Sequence, residues 1–232
     1  AALQGKERIL GPDDPDTLLT AANYGVALIA QGRFDEAERM LARAHDGYRE
    51  GLGADHPETL RTAANLGSAL SSHNRHAEAE DMQTPALAGL ERVLGADHAD
   101  TLFAASGLAV TYALQGRSAE AVLLMRRAVE GSRRTLGDGH PDTLHRMANL
   151  ATYMGQIGQL DEAEPLLTLA MEHAPQNLGE NHRITIQVLT GLGLLHAYRD
   201  RFDLAGPILA RALRAAQAGL GPRHPDTIQL RQ

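Results

Sequence analysis

Apolar residues recur along the chain with a helical period. Leu18, Ala21, Tyr24, Gly25 and Leu28 fall at i, i+3 and i+4 spacing, which marks one face of a helix. The pattern breaks at Gly32, and a second run begins at Phe34-Asp35-Glu36 with Ala37, Met40, Leu41 and Ala44 on its apolar face. Asn74, Gly116, Gly158 and Asp200 stand where Gly32 stands, one in each later copy of the pattern. No stretch alternates apolar and polar residues as a strand does. The pattern predicts an all-α protein of antiparallel helical hairpins, each with one short and one long turn.

The long turns carry a motif. LGPDDPDTL (10–18), LGADHPETL (52–60), LGADHADTL (94–102), LGDGHPDTL (136–144), LGENHRITI (178–186) and LGPRHPDTI (220–228) are six copies at a spacing of 42 residues. A fixed period of this size is the mark of a stacked repeat. The glycine closes an apolar run, as expected of a left-handed residue ending a helix. Proline with an acid behind it opens the next helix near Asp16, Glu58 and Asp142, and Ala99-Asp100 and Arg183-Ile184 hold the equivalent places. The units therefore run over about 12–53, 54–95, 96–137, 138–179 and 180–221 of a single solenoid covering 1–232, with partial helices at 1–11 and 222–232. Pro85 and Pro175 are expected to bend or fray their helices. With Arg183 in place of proline and Asp200 in place of glycine, the fifth hairpin turn departs furthest from the pattern.

Tyr24-Gly25 followed by Gly32-Arg33-Phe34-Asp35-Glu36-Ala37 resembles the tetratricopeptide repeat. Tyr112 with Gly116-Arg117, Leu150-Ala151 with Gly158, and paired alanines such as Ala37 and Ala44 or Ala121 and Ala128 extend the match. The common repeat has about 34 residues. The longer unit with its LGxxHPxTL junction is similar to the kinesin-light-chain branch, which is also abundant in bacterial regulatory proteins. The resemblance implies a right-handed superhelical solenoid whose first helices line an inner groove, and a bacterial parent; with no apolar run near the roughly 18 residues of a membrane span and no signal peptide, a cytoplasmic location is expected. Small residues at Gly25, Gly67, Ala109, Ala151 and Gly193 would let the helices approach closely.

Composition narrows the partners. A formal charge of −7 over 232 residues gives no basic face for nucleic acid or an anionic membrane. Without cysteine there is neither a disulfide framework nor a thiolate metal site. No cofactor or metal is expected. His56, His98, His140, His182 and His224 recur one hairpin apart, too far to share an ion, so a role in capping or packing helices is favoured. His73 and His76 read as a solvated turn. No phosphate loop, nucleophile elbow or metalloprotease motif appears, and the acidic pairs sit at helix starts, so an enzyme is not expected.

Function should then lie in the groove, and the resemblance assigns it to residues offset from the packing face. These include Ala22, Asn23, Arg61, Ala64, Asn65, Phe103, His145, Ala148, Asn149, Gln187 and Tyr198. Asn23, Asn65 and Asn149 hold one equivalent position, with Gly107 and Gly191 in the remaining repeats. Two readings stay open for them: amides that hold the backbone of an extended peptide, or amides that tie neighbouring helices together. Arg61 is the one fixed cation of the set, too few charges for the clamp with which some relatives grip a terminal carboxylate. Phe103 and Tyr198 are the aromatic anchors. The expected function is a module that binds a peptide or protein segment within a larger sensing or scaffold protein. The alternative is a structural element that associates end to end.

Overall fold

The computed structural model describes residues 2–231. Twelve helices account for its regular structure, and no strand is found among the described residues. They are α1 (Ala2–Leu10), α2 (Pro15–Ala30), α3 (Phe34–Leu52), α4 (Pro57–Ser72), α5 (His76–Leu94) and α6 (Ala99–Leu114), then α7 (Ser118–Leu136), α8 (Pro141–Gln156), α9 (Leu160–Leu178), α10 (Arg183–Tyr198), α11 (Phe202–Gly219) and α12 (Pro225–Gln229). The chain forms two compact units, Ala1–Leu124 and Met125–Gln232.

In the first unit each helix packs on its neighbours in chain order, and the first helices of successive hairpins also touch, α2 with α4 and α4 with α6. Its core joins Ala21, Leu28, Ala37, Leu41 and Ala44 to Leu66, Leu70 and Ala79. The second unit repeats the plan: α8 packs on α9, α9 on α10, α10 on α11, and α8 touches α10 directly. Leu144, Met147, Met154, Val188 and Leu189 are fully buried there. Burial of each such side chain contributes about 1.5–3 kcal/mol before conformational entropy is counted. Gly25 shows why its position is small: a Cβ there would lie 2.6 Å from Leu41 Cγ.

The junctions are built from three short-range devices. The six glycines of the long turns have φ between +86° and +98°. At Gly53, Gly95 and Gly179 ψ is near 160°, so they are not left-handed helical as the sequence suggested. They sit in an extended mirror region essentially reserved for glycine. The histidines then cap the next helix. Nδ1 of His56, His98, His140 and His182 accepts the N–H two residues on at 3.2 Å, and His224 does so at 3.3 Å. Asp14 plays the part at the first junction with a 2.9 Å bond. Such a ring caps as the neutral tautomer with its proton on Nε2. Finally, Thr59 and Thr185 donate back to the carbonyls of Gly53 and Gly179.

The short turns are uniform despite their differing residues. Asn74 and Asp200 take φ of 61° and 56° beside 73–79° for Gly32, Gly116 and Gly158. Arg201 N–H returns to His196 O at 2.9 Å, matching Arg33 to Leu28 at 3.0 Å. The irregular sequence of the fifth turn is absorbed because Asn and Asp tolerate the left-handed region better than other side chains. Pro85 and Pro175 also lie within helices that run uninterrupted to Leu94 and Leu178, so neither proline ends its helix. Packing of α5 on α4 and α6, and of α9 on α8 and α10, holds these helices across the missing N–H.

An arginine after the short turn staples neighbouring hairpins. Arg75 reaches Glu38 of the preceding hairpin and Glu78 of its own, and Arg117 does the same with Glu80 and Glu120. In the second unit Arg201 and Arg199 converge on Glu164.

Candidate functional site

In the first unit the offset residues of α2, α4 and α6 fall into different environments. Asn23 is exposed, whereas Asn65 is buried at 6% exposure. Ala22 and Ala64 are buried at 1%, and in the second unit Ala148 at 2%. These three alanines belong to the helix packing and offer no surface to a partner. Arg61 is paired with Glu58 one turn before it on α4, so its charge is already compensated. Phe103 keeps 43% of its surface exposed on α6.

In the second unit the predicted residues come together. Gln187 on α10 donates its amide to Asn149 Oδ1 on α8 at 2.8 Å. Asn149 Nδ2 in turn lies 3.4 Å from His145 Nε2. The row therefore ties two first helices side chain to side chain. Desolvation by the surrounding helices, then the guanidiniums of Arg183 and Arg146, holds the His145 pKa below the usual imidazole value, although His145 still presents an exposed surface. The imidazole is neutral at pH 7 and serves as a hydrogen-bonding group.

Toward the other end of α8 and α10 lies a cleft of about 390 Å³. Thr152, Gln156, Gly191, Leu194 and Tyr198 line it from the first helices, and Leu160, Ala163 and Leu167 of α9 form its floor. Tyr198 is 76% exposed and Leu194 43%, two large apolar side chains standing at the rim of an open recess. The glycine at 191 leaves the floor open, since the side chain found in most repeats at that position is missing. Sequence reasoning named Tyr198 of the rim and missed the floor, because Leu167 reads only as an ordinary core leucine of a second helix. Among the described residues no three His, Cys, Asp or Glu side chains gather as metal ligands.

The profile of the tetratricopeptide repeat matches residues 1–50, 16–91, 75–133 and 149–217. The chain belongs to the tetratricopeptide repeat family. Its repeats have solved counterparts. A kinesin-light-chain candidate of Podosopora anserina with nearly identical TPR-like repeats superposes with a TM-score of 0.75 at 22% identity, covering 89% of this chain and 97% of that one. BtubC (BKLC) from P. vanneervenii gives 0.76 at 19% identity over 95% and 89% of the two chains. YrrB, a TPR protein with an unusual peptide-binding site, gives 0.57 at 15% identity over 100% and 98%. No curated protein matches the sequence. At these identities the likeness is one of fold, and the repeat family is one of interaction modules with no catalytic family indicated. Among the described residues no helix is long and apolar enough to cross a membrane.

Proposed function

We propose that this tetratricopeptide array is a non-enzymatic binding module that takes an extended peptide or protein segment along its first-helix faces, as the sensing or scaffold part of a larger protein. The observation that carries this reading is the open cleft of the second unit, rimmed by Tyr198 and Leu194 and floored by apolar side chains. A recess of this volume with a largely apolar lining suits one or two side chains of a ligand. Asn149 and Gln187 stand further along the same two helices, where amides can meet a peptide backbone. In the first unit Asn23, Arg61 and Phe103 are the corresponding candidates, with Phe103 as the apolar contact, while the buried Asn65 is left to the helix packing. YrrB, of the same fold, has a peptide-binding site, which agrees with the reading.

The test is selection of random linear peptides displayed on phage, followed by affinity measurement on a Leu194→Asp/Tyr198→Ala variant. Both side chains are exposed, so the variant should keep its helicity. Selected peptides are expected to bind it about tenfold more weakly or worse. Peptides that bind wild type and variant alike would move the site elsewhere. A failure to select any peptide would favour the structural alternative, for which the exposed Ile9 and Leu10 of α1 are the relevant surface. Concentration-dependent sedimentation abolished by Ile9→Lys would then establish self-association.

A further inference from the structure

Gly107 and Gly191 both stand where other repeats carry asparagine, and in each case a side chain from an earlier second helix lies directly beneath. A Cβ added to Gly191 would meet Leu167 Cδ2 at 3.3 Å. A Cβ added to Gly107 would meet Gln83 Nε2 at 3.2 Å and Ser68 Oγ at 3.3 Å. Gln83 and Leu167 are equivalent, each 24 residues before its glycine, and the same position holds Leu41, Met125 and Leu209 in the other repeats. Gln83 is thus the one polar residue at an otherwise apolar position, and it is 1% exposed.

An amide at that depth costs free energy unless bonded. Its carbonyl is satisfied, since Thr111 Oγ1 donates to Gln83 Oε1 at 2.6 Å. Its NH2 group carries two hydrogens, and its one hydrogen-bonding contact among the described residues is the long 3.4 Å approach to Ser68 Oγ. Donor capacity is therefore left over just under Gly107, and Gly107 and Ser68 are themselves only half-buried. Core packing would be served by leucine, as at Leu41 and Leu167.

We propose that Gln83 determines specificity on the first unit's face: through the gap at Gly107 its amide donates to the side-chain carbonyl of an Asn or Gln in the bound peptide. In the second unit Leu167, under Gly191, selects an apolar side chain at the equivalent place. The inference rests on the reading of the first-helix faces as peptide-binding surfaces. It adds that the floor residue, contributed by a second helix, sets what each face accepts.

The experiment uses the full chain carrying Leu194→Asp/Tyr198→Ala, which disables the second unit's cleft, with and without Gln83→Leu. Random peptides on phage are selected against both, and circular dichroism verifies helicity. Gln83→Met, which copies the residue at Met125, is the second variant should leucine disturb the fold. The expected result is Asn or Gln enriched at one position of the pool taken by the Gln83 protein. Those peptides should weaken about tenfold on either Gln83 variant, whose own pools should carry Leu, Ile or Val there. Identical pools and affinities with and without Gln83 would overturn the proposal and leave the peptide-binding reading intact. So would peptides that the unmodified chain selects but the cleft-disabled background does not. If neither the unmodified chain nor the background selects anything, the peptide-binding reading fails and takes this inference with it.

Discussion

The histidine caps make a quantitative prediction at His56. Its Nδ1 accepts the Glu58 N–H at 3.2 Å and opens α4, a helix with eleven buried residues at the centre of the first unit. His56→Ala leaves that N–H to water, and the loss of such a cap costs about 1 kcal/mol, within a range of about 0.5–2. His56→Asp should do the reverse. At the equivalent place Asp14 makes the shorter 2.9 Å bond, and a carboxylate at a helix N-terminus adds about 0.3–1 kcal/mol from the helix dipole. Repulsion from Glu58 is offset because Arg61 already pairs with it. The two variants should therefore differ by about 1.3–2 kcal/mol. With a urea slope of roughly 2–3 kcal/mol/M, their midpoints should lie about 0.5–1 M apart, with wild type between them. Hydrogen exchange at the Glu58 amide reports the same event locally and should quicken in the alanine variant alone. If Ala and Asp at position 56 melt together, the imidazole acts by packing and the capping argument is wrong.

Other consequences can be checked on the same protein. Asp200 holds a φ of 56° in the fifth short turn, so Asp200→Gly should raise stability by about 1 kcal/mol in urea titration, and no gain would show the turn to be unstrained. Gly25→Ala places a Cβ 2.6 Å from Leu41 Cγ and should destabilise by about 1–3 kcal/mol; a neutral result would mean that α2 and α3 can separate freely. Glu164 has its pKa lowered, first by its hydrogen bond from Arg201 and then by the nearby charges. Its stabilising contribution is present above the unfolded carboxylate value and is lost as pH falls through the lower folded one. Glu164→Gln should thus cost about 1 kcal/mol at pH 7 and approach wild type only as the pH falls through the lowered folded value, and a difference independent of pH would refute the ion-pair account.

The all-helical class and the approximate starts of the helices were legible because their determinants are local. Gly32 and its equivalents, the LGxxH junctions and the prolines at 57, 141 and 225 act within a few residues of themselves. The arginine staples were also within reach of sequence: Glu38 with Arg75, Glu80 with Arg117 and Glu164 with Arg201 share one separation. The first-helix faces were legible only in part. The resemblance placed Tyr198 among the offset residues, but the recess beside it depends on Leu167 rising beneath Gly191, a distance set by packing. Equivalent sequence positions also proved unequal in space. Asn23, Asn65 and Asn149 share a register, yet one is exposed, one buried and one engaged by Gln187. Burial of a rung depends on the bulk of its neighbours, which a single periodic pattern does not encode.

The long turns have a further meaning at the level of the gene. Residues 53–56 and 95–98 both read Gly-Ala-Asp-His, and the positive-φ glycine, the histidine cap and the backbone bonds of each turn all lie within a few residues of it. A recombination that removes residues 54–95 would therefore join Gly53 to Ala96 and recreate the same joint, cap included. Loss or gain of one whole 42-residue cassette changes the length of the array while each surviving joint stays unstrained. A cut at any other period would misplace the glycine that alone can adopt the turn. The turn thus works as a reading frame for exchange, letting the array be lengthened or shortened by unequal crossing-over without re-evolving a single joint.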